Sequence, residues 1–203
     1  MLYNGPKCRL CRREGKKLFL KGERCNTQKC AFARKPEVPG KYGKNSMGKK
    51  TEYHGQLRAK QAGKRAFNLT EKQFKKYYDE ANRREGTTTD NFIILLETRL
   101  DNAVYRAGFA DSRNQARQLV SHDFISINGK RAKTPSIQVK IGDKLEVKKS
   151  DSPLFSGIAK RKDNSPNWLK VDLAKLVAEV VALPEAVECE QIDTQTIVEF
   201  YSR

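Results

Sequence analysis

The chain has no long hydrophobic run and comparatively few apolar residues. None of its apolar stretches approaches the roughly 18 residues that indicate a membrane-spanning helix, and no apolar segment follows the charges near the N-terminus, as one would in a secretory signal. Hydrophobic residues make up 37% of the 203 positions, below the usual range of about 45–50%. We therefore expect a cytoplasmic protein that does not bind membranes, with a modest core and with segments that become ordered only on a partner.

The sequence also lacks the motifs of common catalytic sites. It contains no phosphate-binding P-loop, no Gly-x-Ser-x-Gly nucleophile turn and no His-Glu-x-x-His metal motif. Its two histidines are His54 and His122. Because His122 follows a basic helical segment, we expect it to contact phosphate or the end of the helix rather than to act in acid–base chemistry. These absences predict a protein that is not an enzyme.

Acidic residues are few, and the charge is unevenly distributed. The chain has 41 Lys and Arg residues against 24 Asp and Glu residues, a formal net charge of +17. Residues 1–70 hold 19 basic and 4 acidic side chains, residues 111–162 hold 12 and 5, and residues 163–203 hold 3 and 8. Segregated positive charge favours a polyanion, because each phosphate contact releases condensed counterions. We therefore expect nucleic acid to bind the first two of these segments.

Four cysteines stand in two pairs near the N-terminus, at Cys8, Cys11, Cys25 and Cys30. Paired cysteines at this spacing are typical of a structural Zn²⁺ site with four thiolates and no open position for catalysis, and the neighbouring cations favour the thiolate form. Two alternatives stay open. An iron–sulfur cluster also accepts four cysteines, and two disulfides would require an oxidising compartment. The fifth cysteine, Cys189, is most simply an apolar core residue.

Helix signals dominate the middle of the chain. A weak helical pattern covers residues 53–66, and the segment Thr70-Glu71-Lys72-Gln73 forms a capping box ahead of an apolar stripe that Gly86 can end. A further helix is predicted from near Asp90 to Gly108. Ser112-Arg113-Asn114-Gln115 is a second capping box, which opens a short helix to about Ser121.

After this helix, the spacing of apolar residues changes from the helical pattern to strict alternation with polar residues. The segment 124–127 alternates and is followed by Asn128-Gly129, the strongest two-residue hairpin signal, and the alternation resumes over residues 137–147. Residues 97–148 are therefore predicted to form two short helices followed by a small β unit. Near the C-terminus, the apolar spacing at 176–181 fits a helix or a strand, and residues 197–201 are predicted to form a strand.

Basic side chains accompany both the helices and the hairpin of this region. They are Arg106, Arg113, Arg117, Lys130, Arg131 and Lys133. A lone charge run more often forms a solvated face, but here both elements present cations with few acids to balance them, which favours nucleic-acid binding. Substitution of Arg113 and Arg117 by Ala is therefore expected to weaken binding and to leave the fold intact.

Several segments, taken in order, resemble a known family. They are residues 71–74 (EKQF), 99–106 (RLDNAVYR), 112–122 (SRNQARQLVSH), 127–129 (ING) and 198–203 (VEFYSR). Along almost its whole length the chain is similar to the fourth protein of the bacterial small ribosomal subunit. It departs from the usual family pattern at Gly40-Lys41-Tyr42-Gly43, where members have Gly-Gln-His-Gly, and in a following loop that is rich in Lys instead of Arg.

The resemblance implies a function without catalysis. Members of the family bind 16S rRNA early in assembly, nucleate the body of the small subunit, and lie near the mRNA entry channel beside the third and fifth small-subunit proteins. Some hold zinc on four N-terminal cysteines at this spacing, and some repress translation of their own operon.

The resemblance also implies an α+β fold with four parts. A Cys-rich, zinc-knuckle-like segment (1–45) precedes a helical body (46–96). An RNA-binding module of two helices and a β unit (97–148) is inserted next. A connection and C-terminal strands (149–203), with a strand at 177–183, would pack on the body and complete it.

We expect RNA contacts from the basic N-terminal segment, from the Lys-rich loop and from the module. The side chains are Arg12, Arg13, Lys21 and Arg58; Lys44, Lys49 and Lys50, the last three near mRNA; and Arg106, Arg113, Arg117, His122, Lys130, Arg131 and Lys133. Two other hypotheses are an RNA-modifying enzyme that uses the same module and a zinc-bearing regulator that binds DNA. The other segments leave little room for a catalytic domain, and the module suits RNA helices and junctions better than DNA.

Overall fold

The computed structural model describes residues 3, 5–41, 43, 51–148, 152–155, 158, 165–185 and 192–202. The chain divides into two compact units. The first comprises Met1–Phe92 and Cys189–Arg203, and the second comprises Ile93–Glu188. The predicted mRNA-contacting residues Lys44, Lys49 and Lys50, and the fifth cysteine, Cys189, lie outside the described residues.

Helices build the first unit. They are α1 (Cys8–Glu14), α2 (Ala31–Arg34), α3 (Glu52–Ala66), α4 (Glu71–Arg83), the first half of α5 (Thr88–Glu97) and α8 (Thr194–Tyr201), with a 3₁₀ turn at Gly22–Cys25. The capping box predicted for α4 is confirmed, because the Thr70 hydroxyl accepts from the Gln73 N–H and the Gln73 carboxamide accepts from the Thr70 N–H. These two bonds satisfy backbone donors that the first helical turn leaves without partners.

The C-terminal helix α8 packs on α3 and completes the helical body. The close approach is possible because α3 has a glycine there: a Cβ at Gly63 would lie 3.0 Å from Ile197 Cδ1 and 3.3 Å from Phe74 Cζ. Tyr201 stacks on Tyr78 with ring centroids 4.8 Å apart. The body is thus completed by the tail, but the strand predicted at 197–201 is wrong, because Asp193 caps a helix there by accepting from the Thr196 N–H at 3.1 Å.

In the second unit, the helix predicted from Asp90 to Gly108 is broken into α5 and α6 (Leu100–Arg106). Arg99 is extended (φ −62°, ψ 138°) and forms a β-bridge with Gln138. The Val139 N–H donates to the Thr98 carbonyl at 2.8 Å, and the Leu100 N–H donates to the Ile137 carbonyl at 2.8 Å. The continuous-helix prediction is wrong because this pairing, about 40 residues away along the chain, competes with the local helical bonds.

Helix α7 (Arg113–Ser121) follows with only half of its predicted capping box. The Ser112 hydroxyl accepts from the Gln115 N–H at 3.3 Å, as predicted. The Gln115 carboxamide, however, accepts from the Asp111 N–H at 2.8 Å. The helix is therefore capped at both residues that precede it.

An antiparallel sheet in the order β2-β1-β3-β5-β4 completes the second unit. Its strands are β1 (Ile125–Ile127), β2 (Lys130–Arg131), β3 (Lys144–Val147), β4 (Leu169–Asp172) and β5 (Val177–Val180). The hairpin predicted at Asn128-Gly129 is confirmed, with φ of 50° and 73° at the two turn residues.

The two later strands extend the sheet of the module. Strand β5 pairs with β3 so that Leu145 lies opposite Ala178, and β4 pairs with β5. We predicted that these strands would pack on the helical body; within the second unit they pair with the module's own sheet. Pairing with β3 satisfies the backbone groups of an edge that β1 and β2 leave open.

The core of the second unit joins α6, α7 and the sheet. Fully buried residues at its centre include Leu100, Phe109, Ile125, Leu145 and Trp168. The fold is α+β, as predicted, with helices and an antiparallel sheet. Within the described part of the chain, no helix has the length and apolar character needed to cross a lipid bilayer.

Candidate nucleic-acid interface

A buried carboxylate joins the two helices of the module. Glu97, at the end of α5, is 0% exposed. Both of its oxygens accept from the Arg106 guanidinium at 2.8 Å, and Asn102 Nδ2 donates to the same carboxylate at 2.7 Å. From α7, Arg113 approaches Glu97 at 3.7 Å and donates to Asn102 Oδ1 at 2.7 Å. The carboxylate thus holds α6 and α7 in one arrangement, because each helix supplies an arginine to it.

The surrounding cations keep this carboxylate ionised. Burial by itself would raise the pKa of Glu97, but the hydrogen bonds and charge of Arg106, the charge of Arg113 and the amide of Asn102 hold that pKa below its ordinary value. A buried ion pair of this kind is costly to break, because the remaining partner would be left charged and without solvent. The network is therefore part of the framework of the module.

A second ion pair lies beside the first. Arg99 donates to both oxygens of Asp101 at 3.0 and 2.7 Å, and both residues are buried. From α7, Arg117 approaches Asp101 at 3.5 Å. Consecutive turns of α7 therefore contribute Arg113 and Arg117 to two adjacent buried acids.

These ion pairs change the interpretation of three predicted RNA-binding residues. The side chains of Arg106 and Arg117 remain 21% and 22% exposed, whereas that of Arg113 is only 9% exposed. The Arg113 guanidinium also lies 4.8 Å from the centre of the Tyr105 ring. A role for these arginines in RNA binding stays a prediction, but the expectation that Arg113 can be removed without disturbing the fold does not agree with its surroundings.

The cations of the hairpin point to solvent. Lys130, Arg131 and Lys133 are all exposed. Arg131 pairs with Asp123 at 2.5 Å, and Lys148 pairs with the same carboxylate at 3.0 Å. The hydrogen bond from Lys148, with the charges of Arg131 and Lys148, lowers the pKa of Asp123. The hairpin therefore presents positive charge that the few nearby acids balance only in part.

In the first unit, two of the predicted RNA-binding residues are exposed and two are bound to other groups of the protein. Arg13 and Lys21 are exposed, as a phosphate-binding role requires. Arg12 Nε donates to the Glu37 carbonyl at 2.8 Å. Arg58 donates to Glu14 at 3.2 Å, where the carboxylate is 0% exposed and also binds Arg65. Arg58 thus joins α3 to α1.

The four cysteines all lie in the first unit and form no disulfides. Cys8 and Cys11 are one turn apart on α1, Cys25 ends the 3₁₀ turn, and Cys30 precedes α2. Burial raises the pKa of the Cys11 thiol, and a hydrogen bond with the backbone of Leu18 partly offsets that rise. The donor chemistry fits zinc. Among the described residues, however, no group of three or more His, Cys, Asp or Glu side chains is arranged to hold a metal ion.

Sequence reasoning did not identify Glu97, Asp101 and Asn102 as the residues that organise the module. The only indication of this role in the sequence is that these polar residues occupy positions expected for core residues. Glu97 interrupts the apolar run that begins at Phe92, and Asp101 and Asn102 occupy buried positions among the core residues of α6. Because acids are almost never fully buried unless they are paired, such positions indicate arginine partners.

Comparison with known proteins identifies the family. The model of the ribosomal protein S4/S9 N-terminal domain matches residues 2–97, and that of the S4 domain matches residues 98–145. The chain is 50% identical over 206 residues to the small ribosomal subunit protein uS4 of Caldicellulosiruptor saccharolyticus. It is 48% identical over 209 and 206 residues to the proteins of the same name from Heliobacterium modesticaldum and Halothermothrix orenii. In each comparison 99% of both chains is covered. These relatives are ribosomal proteins and not enzymes, in agreement with the prediction, and the chain belongs to the family of the small ribosomal subunit protein uS4.

Proposed function

We propose that this chain is a structural component of the small ribosomal subunit that binds 16S rRNA directly and has no catalytic role. The observation that carries the proposal is the exposed basic hairpin of a matched S4 domain, with Lys130, Arg131 and Lys133 on its surface. Each lysine or arginine that meets a phosphate releases counterions, so an exposed cluster of three such side chains favours a polyanion.

The position in the subunit is part of the same proposal. The chain nucleates assembly of the body of the subunit, lies near the mRNA entry channel and neighbours the third and fifth small-subunit proteins. Its location is therefore the cytoplasmic ribosome. The basic segment 1–70 and the segment 111–162 meet rRNA, and Lys44, Lys49 and Lys50 approach mRNA. The acidic segment 163–203, with 3 basic and 8 acidic residues, suits contacts within the protein or with basic neighbours.

A structural zinc ion on Cys8, Cys11, Cys25 and Cys30 completes the proposal for the first unit. All four cysteines belong to the first unit and are free of disulfides, and four thiols are the donor set of a structural zinc site. These cysteines would hold the ion, which would cross-link α1, the 3₁₀ turn and the start of α2. An iron–sulfur cluster is the alternative occupant, and analysis of the metal distinguishes the two.

The salt dependence of rRNA binding tests the function. For a transcript of the 5′ domain of 16S rRNA, the logarithm of the affinity should fall by about 0.7–0.9 for each logarithmic unit of salt and each phosphate contact. Lys130→Ala with Lys133→Ala should therefore reduce the slope by about one to two contacts. Lys76→Ala, an exposed lysine on α4, is the matched control and should leave the slope unchanged. A flat salt dependence of the unsubstituted protein, or equal binding to a DNA duplex, would contradict the proposal.

A further inference from the structure

A cavity of about 210 Å³ opens beside α7. Its lining comes from α7, from the start of the sheet and from the 3₁₀ turn Pro153–Phe155. The lining residues are Gln115, Gln118, Leu119, His122, Phe124 and Leu154. The rRNA-binding proposal above does not use this cavity.

The apolar part of the lining provides flat and aliphatic walls. Leu119 is buried at 4% exposure, whereas Leu154 is 53% exposed. Phe124 is half-buried, and its ring packs against Phe155 with centroids 6.0 Å apart. A half-buried ring that packs on another ring on one side and borders a cavity on the other can stack with a ligand. The exposed leucine beside it adds apolar surface to the wall of the cavity.

The polar part of the lining is on one face of α7. Gln115 and Gln118 lie at i and i+3 on that face, and His122, the C-cap residue, follows directly after the helix. The Gln115 oxygen is engaged by the Asp111 N–H at 2.8 Å, which orients the carboxamide. Gln118 and His122 are exposed, and among the described residues their side chains form no hydrogen bond. A carboxamide offers a donor and an acceptor, and an imidazole ring has two nitrogens that can take part in hydrogen bonds.

We propose that this cavity is a subsite for one unpaired nucleobase of the bound RNA. The inference rests on the proposed rRNA-binding function and adds a base-recognition site to it. Proteins read RNA sequence mainly at unpaired bases, which stack on aromatic side chains and form hydrogen bonds along their edges. The ring of Phe124 provides the first interaction, and Gln118 and His122 provide the second.

Size and charge favour a base over other occupants. The cavity is smaller than the roughly 300–1,000 Å³ typical of pockets for drug-sized ligands, so it suits a single planar ring system. Among the described residues, its lining consists of two carboxamides, an imidazole and three apolar side chains, without the lysines and arginines with which proteins bind phosphate. The segment 111–162 around it holds 12 basic and 5 acidic residues, which favours a nucleic acid over an apolar protein side chain.

The test uses the full chain and a transcript of the 5′ domain of 16S rRNA. The variant combines Gln118→Ala with His122→Ala, two exposed positions, and Ser121→Ala on the same helix is the matched control. We expect the variant to bind about tenfold more weakly, as the loss of one or two hydrogen bonds implies, with an unchanged salt slope. Hydroxyl-radical cleavage should give the same protection of the backbone, while one unpaired base becomes newly reactive to base-specific reagents. The control should behave as the unsubstituted protein does.

The other outcomes separate the two proposals. If the unsubstituted protein protects no rRNA, the proposed function fails, and this inference fails with it. If protection is normal and the variant alters neither affinity nor base reactivity, rRNA binding stands and the base subsite is refuted. If the variant binds naked rRNA normally but enters the subunit poorly in reconstitution with the other small-subunit proteins, the cavity receives a protein side chain, which also refutes the base subsite. Phe124→Leu, which removes the ring and keeps an apolar side chain, should reproduce the base-specific change.

Discussion

Replacement of Glu97 by Gln removes the negative charge at the centre of the module. The substitution keeps the shape of the side chain and one acceptor oxygen, but it removes the negative charge that Arg106 and Arg113 approach at 2.8 and 3.7 Å. Glu97 is 0% exposed, and the Arg113 side chain is 9% exposed, so water cannot replace the lost interaction. Removal of one partner of a buried ion pair costs about 3–5 kcal/mol. Since Gln can still accept a hydrogen bond, we expect a loss of about 3 kcal/mol in the free energy of unfolding of the second unit.

The single tryptophan of the chain makes this loss measurable. Trp168 is 2% exposed and lies in the core of the second unit, so its fluorescence in urea follows the unfolding of that unit. With a urea dependence of about 2 kcal/mol per molar, the midpoint should fall by about 1.5 M. Lys175→Ala is the control, because it removes an exposed ion pair with Asp172 in the same unit and should not move the midpoint.

The pH dependence provides a second measurement on the same variant. The pKa of Glu97 is lower in the folded protein than its ordinary value of 4.5, so its contribution to stability is complete above about pH 4.5 and is lost as the pH falls through the lowered pKa. The unsubstituted protein should therefore lose stability over this acidic range, and the Glu97→Gln variant should lack that part of the dependence. An unchanged urea midpoint for Glu97→Gln would refute the conclusion that this carboxylate holds α6 and α7 together.

Two other predictions concern the first unit. Gly63→Val should weaken the packing of α8 on α3, because the new side chain would meet Ile197 at about 3 Å. We expect faster proteolysis of the C-terminal helix and a lower melting temperature. Gly55→Ala is the control, because Gly55 faces open space on the same helix and its substitution should not reduce stability. Native protein should contain about one zinc ion per chain by elemental analysis, and replacement of Cys8, Cys11, Cys25 and Cys30 by Ser should abolish it; native protein with neither zinc nor iron would remove the metal proposal.

Much of the local structure could be predicted from the sequence. The Thr70 capping box, the helix that begins after Ser112 and the Asn128-Gly129 turn all depend on residues within four positions of one another. Backbone geometry couples such neighbours directly, so their pattern is sufficient. The family resemblance was likewise carried by short segments in order, and the comparisons confirm it.

The candidate site was less predictable, because its chemistry depends on which side chains meet. The sequence presents Arg106, Arg113 and Lys130 as equivalent cations, yet only the structure separates an exposed lysine from arginines bound to a buried acid. The cavity beside α7 is a similar case. Leu154 and Gln118 line the same cavity although they are more than 30 positions apart in the sequence, and no local pattern predicts that they lie close together.

By itself the sequence determined the segregation of charge, the helix caps, the hairpin turn and the family. The tertiary structure alone decided that the tail ends in a helix, that the helix beginning near Asp90 breaks at Arg99, and that β5 joins the sheet of the module. In each case the local pattern was compatible with more than one structure. Distant partners selected one of them, because a strand edge, a buried acid or a glycine on another helix contributes interactions that neighbouring residues cannot supply.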